Sequence, residues 1–200
     1  MALSDLFAVY AGVRAYTLID GDQGFVFASQ QELDSADALY RTAGQLQTVT
    51  FVACAIVFIA WFYWMRRDAE VLGPDRFRNG PGWAIGSWFI PLANLWLPYR
   101  VAVDMWGAST RLPADGEAYK VSFWPVNLWW GLFVITTLFN RYAGRSYQDA
   151  ETLGEVRDAV LQVMAADVLD IAAAAAAVYF AVRLTAMQRL KATEGPYGSV

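Results

Sequence analysis

Histidine is absent from this 200-residue chain, and its single cysteine, Cys54, has no mate. Those two absences exclude imidazole acid–base catalysis, histidine-ligated haem, intramolecular disulfides and zinc-finger or zinc-ribbon sites. Charge is scarce too. Only 17% of residues are charged, and 19 acidic residues outnumber 15 basic ones. The resulting net charge of −4 supplies no basic stripe, which argues against nucleic acid as a partner. The chain also lacks a glycine-rich phosphate loop, a Gly-x-Ser-x-Gly elbow and any metal-ligand cluster of the right spacing. The expectation is a protein that is not an enzyme and holds no cofactor or metal.

What is abundant is apolar surface: 57% hydrophobic and 16% aromatic residues, with a mean hydropathy of +0.30. That share exceeds the norm for soluble domains and points to a membrane. A helix crossing the hydrocarbon core needs roughly 20 mostly apolar residues, so charge-free length is the quantity to follow. Thr42 to Met65 runs 24 residues without a charge and ends at Arg66-Arg67, behind Trp61, Tyr63 and Trp64. Asn79 to Tyr99 covers 21 residues but is interrupted by Pro81, Pro91 and Pro98, and Val121 to Asn140 covers 20. A fourth stretch, about Val168 to Met187, has a middle dominated by six alanines between Asp170 and Arg183. Trp and Tyr gather toward segment ends, as interfacial residues do. Trp129 and Trp130 fall nearer a segment centre, where helix packing or lipid contact explains them better than ligand stacking.

These stretches predict an all-α integral membrane protein. It has about four hydrophobic helices, over 45–65, 82–98, 121–140 and 168–187, the second broken by proline, plus a short N-terminal helix. Met1 to Ile19 carries Asp5 and Arg14 and lacks the pattern of a signal peptide, so it reads as an interfacial helix or a short crossing. Residues 20–41 form an acidic connector in which Asp34 or Ser35 is the expected helix cap. The organisation is therefore an N-terminal helix and connector over 1–44, a membrane domain over 45–191 and a flexible tail over 192–200.

Lys and Arg collect in cytoplasmic loops and can arbitrate between topologies. Residues 20–41 are expected outside and 66–81 in the cytoplasm. If 82–98 crosses, seven basic residues lie inside and eight outside. If it dips in and returns, Arg66, Arg67, Arg76, Arg78, Arg100, Arg111, Lys120, Arg183, Arg189 and Lys191 make ten inside against five outside. The charge bias favours re-entry; the ordinary occurrence of proline in kinked membrane helices favours crossing.

The densest pattern is Gly82-Trp-Ala-Ile-Gly-Ser-Trp-Phe-Ile-Pro91, followed by Asn94-Leu-Trp-Leu-Pro-Tyr99. Gly82 and Gly86, four apart, predict a face where another helix comes close, and Pro91 removes a backbone donor. These blocks, with Trp61 to Glu70 and the later Trp124-Pro-Val-Asn-Leu-Trp-Trp130, resemble the bacterial membrane family called domain of unknown function 4328, over roughly residues 40–185. The resemblance implies a multi-pass bacterial, largely actinobacterial, protein and implies no activity. Thirteen Arg against two Lys, with many alanines, suit a GC-rich genome. The family resemblance also implies a longer first hydrophobic helix than Met1 to Ile19 provides.

Ionisable and amide groups at membrane depth are the candidate functional residues. Asp167 and Asp170 share a helix face. They fit a cation or proton site facing the bundle, or a favourable pair at a helix start. Asn94 and Asn127 fit either cross-helix hydrogen bonds or the lining of a polar cavity. Arg66, Arg67, Arg76 and Arg78 fit contacts to anionic lipid headgroups, or the ordinary marking of a cytoplasmic loop. Arg100 and Asp104, one turn apart, read as a surface pair just beyond the membrane segment, or, if 82–98 is re-entrant, as residues at the mouth of its hairpin; Cys54 reads as a small hydrophobe. The expected partners are the lipid bilayer and a second copy or another membrane protein. The expected role is a non-enzymatic scaffold or regulatory subunit; the competing one is a small transporter or channel component with its site at 82–98.

Overall fold

A computed structural model describes residues 1–20, 29–112 and 121–196. Part of the acidic connector (21–28), Lys120 and the end of the tail (197–200) lie outside the described residues. Within those described the chain is helical, without a β-strand: α1 (Ala2–Asp20), α2 (Gln30–Leu72), α3 (Trp83–Gly86), α4 (Leu97–Ser109), α5 (Trp124–Gln148) and α6 (Leu153–Glu194). Short 3-10 turns occupy Pro74–Arg76 and Ala93–Leu95.

The cap of α2 differs from the expectation. Asp34 and Ser35 lie inside the helix, which starts after Ser29. There the Ser29 Oγ accepts from the Glu32 N–H (3.3 Å), while Glu32 Oε2 accepts from the Ser29 N–H (2.9 Å). This reciprocal box satisfies two otherwise unpaired donors, and it recurs at α6 between Thr152 and Glu155. With such starts both helices outrun their apolar stretches: 43 and 42 residues correspond to roughly 64 and 63 Å, about twice a hydrocarbon core.

Among the described residues three helices are long and apolar enough to cross a membrane: Ala2–Ile19, Gln30–Leu72 and Leu153–Glu194. The N-terminal stretch thus qualifies on composition. Helix α5 has the length, at 25 residues, but not the same hydropathy, because Asn127, Thr136, Thr137 and Asn140 interrupt its apolar face. The stretch 82–98 is not one helix. Pro91 cannot donate, and Leu92 adopts φ 64°, the only described non-glycine residue with positive φ. The Ala93 N–H closes a tight turn onto the Pro91 carbonyl (2.7 Å), a strained geometry for a branched side chain.

The chain forms two compact units, one from Met1–Cys54 and Leu132–Ala175, the other from Ala55–Gly131 and Ala176–Val200. The first packs through small residues. Ala8, Ala11 and Ala43 are buried beside Phe7, Leu39 and Tyr40, and Tyr40 stacks on Tyr147 at 5.8 Å. Gly12 lies so near Met164 that a Cβ would stand 2.6 Å from its Cγ. The second unit packs through rings. Trp129 lies parallel to Phe180 (4.5 Å, 3°), and Phe58, Phe62, Trp88 and Trp130 close around them. Trp129 and Trp130 are therefore covered by the protein's own rings. At the end of α4, Lys191 Nζ donates to the carbonyls of Ala108 (2.8 Å) and Thr110 (3.2 Å), two acceptors that the helix itself leaves unpaired.

Candidate functional site

Polar side chains converge in two places, one in each unit. In the first unit, α1, α2 and α6 contribute Asp5, Gln47 and Asp167. The Gln47 amide nitrogen donates to Asp167 Oδ1 (2.7 Å) and to Asp5 Oδ1 (3.3 Å). Both carboxylates are buried, 3% and 5% exposed, and Asp5 Oδ2 has no hydrogen-bond partner. Charged groups at such burial are tolerated only when hydrogen-bonded or paired, so this amide is what lets three helices meet there. A cleft of about 80 Å³ opens beside it, with Tyr40, Gly44 and Met164 in its wall. Asp170, on the same helix as Asp167, accepts from Asn140 Nδ2 of α5 (2.9 Å). No three histidine, cysteine or carboxylate groups among the described residues are placed to hold a metal ion.

In the second unit the arginines of loop 66–81 separate by role. Arg66 is 2% exposed; it donates to Glu70 Oε2 (3.1 Å) and to the Asn79 carbonyl (2.7 Å), with its guanidinium 3.5 Å over the Phe77 ring. It is consumed internally and does not face a headgroup. Arg67 is exposed and leans over Trp64 at 5.2 Å; Arg76 and Arg78 are exposed as well. Asp104 of α4 is half-buried. Its burial pushes the carboxyl above its ordinary range, against the opposing pull of Arg100, Arg66, Arg76 and Arg78.

The remaining sequence candidates do not assemble into a site. Asn127 is exposed and its Oδ1 accepts from Tyr99 OH (2.8 Å), not from Asn94, which sits half-buried on the 93–95 turn. Gly82 and Gly86 have nothing within 4 Å of where a Cβ would stand, so the expected close helix approach is not made there. Pro91 is exposed. The tight glycines are instead Gly12 and Gly107, the latter with Arg76 Nη1 only 2.5 Å from a built Cβ.

A family model described as domain of unknown function (DUF4328) matches residues 26–186. The chain belongs to the DUF4328 family. Comparisons with curated proteins and with solved structures return no match. The family match covers two of the three residues of the Asp5–Gln47–Asp167 bridge, and all of the arginine cluster up to Arg100 and Asp104. In this DUF4328 protein the residues that sequence reasoning missed are Gln47, Phe77 and Gly107. Gln47 sits in a charge-free run beside a second amide, Gln45, and nothing in the sequence separates the two; Phe77 and Gly107 carry no signal either.

Proposed function

We propose that this DUF4328 protein is a multi-pass, non-enzymatic membrane protein that serves as a scaffold or regulatory subunit in the cell membrane. The observation that carries this reading is α2. Its most apolar 18-residue window has a mean hydropathy of 2.0, yet only 6% of it is buried, with Val49, Ile56 and Val57 more than 60% exposed. A face of that size finds no cover in water, and lipid is what suits it.

Helix direction then supports a topology. In the second unit Trp61 Nε1 donates to Thr185 Oγ1 (3.3 Å) and Gln188 Nε2 donates to the Met65 carbonyl (3.0 Å), so α2 and α6 run parallel. Parallel helices that both cross do so in the same direction, which requires an odd number of crossings between them. Helix α5 supplies one, so 82–98 enters and leaves on a single side, in agreement with the ten-to-five charge bias. Asp5 of α1 meets Gln47, just ahead of the apolar run of α2, which suits an interfacial α1.

The test uses single cysteines in a Cys54→Ser background, probed in intact cells with a membrane-impermeant maleimide. Gln148→Cys is expected to label and Leu112→Cys to stay unlabelled until the cells are opened. Labelling of Leu112→Cys alone overturns the re-entrant topology. Recovery of the chain in the soluble fraction overturns the membrane reading itself.

A further inference from the structure

Arg66 pins the turn that follows α2, through Asn79 and Phe77, and the pinned turn carries Arg76 and Arg78 to α4. Arg76 lies against α4 where Gly107 leaves the backbone bare: a Cβ there would stand 2.5 Å from the guanidinium. Arg100 projects from α4 one turn before Asp104, and all of these guanidiniums act on the Asp104 carboxylate. Lys191 stands close enough to Arg76 to be repelled by it. Arg76, Arg78 and Arg100 are exposed, and none of them forms a salt bridge among the described residues. Three exposed guanidiniums thus face one half-buried carboxylate, Asp104.

The chain between Arg78 and Arg100 has the opposite character. Trp83, Phe89, Ile90, Leu92 and Trp96 are exposed, Phe89 and Leu92 by more than 70%. Basic residues thus stand at both ends of an apolar excursion that leaves from and returns to one place. We propose that Arg76, Arg78 and Arg100 bind the phosphate of an anionic phospholipid headgroup whose acyl chains lie along the exposed 83–96 segment. Guanidinium is suited to this: it presents a planar fork of donors to phosphate oxygens and keeps its charge at any physiological pH. The assignment is to a lipid rather than a free phosphate because the neighbouring surface is apolar. It rests on the membrane reading above.

The test is lipid retention by the full chain purified in mild detergent, read by native mass spectrometry with phosphatidylglycerol or phosphatidylcholine added. A preference for phosphatidylglycerol of about tenfold is expected, because both lipids offer a phosphate and only phosphatidylglycerol brings a net negative charge to the three guanidiniums. It should fall to near unity in Arg76→Gln/Arg78→Gln, weaken in Gly107→Ala, which displaces Arg76, and persist in Arg67→Gln. Equal retention of both lipids, or an unchanged preference in the double variant, overturns the proposal. So does full displacement by inorganic phosphate together with equal binding of glycerophosphate, which would make the site one for a soluble phosphate. If the double variant has a lowered thermal midpoint, Arg100→Gln alone is read by the same criteria. A chain that is membrane-bound but shows no lipid preference sinks this site and leaves the membrane reading standing.

Discussion

Gln47 shows how one side chain can decide a local arrangement. Its two amide hydrogens are the hydrogen bonds that reach Asp5 and Asp167, and hydrogen bonds to charged groups contribute about 1.5–3 kcal/mol each when made. Gln47→Ala is therefore expected to destabilise the first unit by roughly 2–4 kcal/mol, since it leaves two buried carboxylates side by side without the shared donor. Thermal unfolding in detergent measures this, and an unchanged midpoint would mean that water already serves those oxygens. Asp104 carries the opposite sign. Its carboxyl is held above the ordinary range chiefly by burial, so ionising it costs the folded state; the fold is favoured below the unfolded value near 3.8 and loses that advantage as pH rises through the folded one. Asp104→Asn should raise the midpoint at pH 7 and make no difference at pH 3. Of these residues the sequence marks the acids, because a charge in an apolar run is visible by itself. It does not mark Gln47, whose importance exists only once Asp5 and Asp167, 162 positions apart in the chain, are brought to it.

At the scale of the element, the starts of α2 and α6 are set by local chemistry. Glu32 and Glu155 are exposed and lie well ahead of the apolar stretches. Backbone N–H donors hold both carboxyls below the ordinary range, from Ser29 for Glu32 and from Glu151 and Thr152 for Glu155. Depressed carboxylates contribute stability above their unfolded pKa, near 4.5, and lose it as pH falls through the folded value. Hydrogen exchange corrected for intrinsic rate should show both first turns opening between pH 6 and pH 3 while mid-helix amides stay protected. Ser29→Ala should open the start of α2 at pH 6 by about 1 kcal/mol, roughly fivefold, with little further change at pH 3. The motif is legible in the chain at both places, as Ser29-x-x-Glu32 and Thr152-x-x-Glu155. The expected cap at Asp34 or Ser35 fell short because several cap-competent residues crowd one stretch, and only the one with a glutamate three residues on closes both bonds. The break at 82–98 was legible as well, through its prolines. The strained turn at Leu92 was not, since nothing in a leucine announces positive φ.

At the scale of the molecule, three helices among the described residues are long and apolar enough to cross a membrane, and α5 joins them by length. Sodium carbonate extraction at high pH is expected to leave the chain in the membrane pellet; release would mean that the exposed face of α2 is covered by protein. Composition alone determined the class: a chain this apolar and poor in charge forms helices long and apolar enough to cross a membrane. Charge-free length likewise marked the apolar middles of α2, α5 and α6, but not their ends, and it did not mark the charge-free 79–99 as broken; the prolines did that. Tertiary structure decided the rest. That α2 and α6 run parallel, that Arg66 turns inward while Arg76 and Arg78 stay exposed, and that Gly12 and Gly107 rather than Gly82 and Gly86 are crowded are facts about pairs of residues distant in the chain. Such pairs leave no trace in periodicity or local composition, since each partner is an ordinary residue until packing brings the other within a few ångströms.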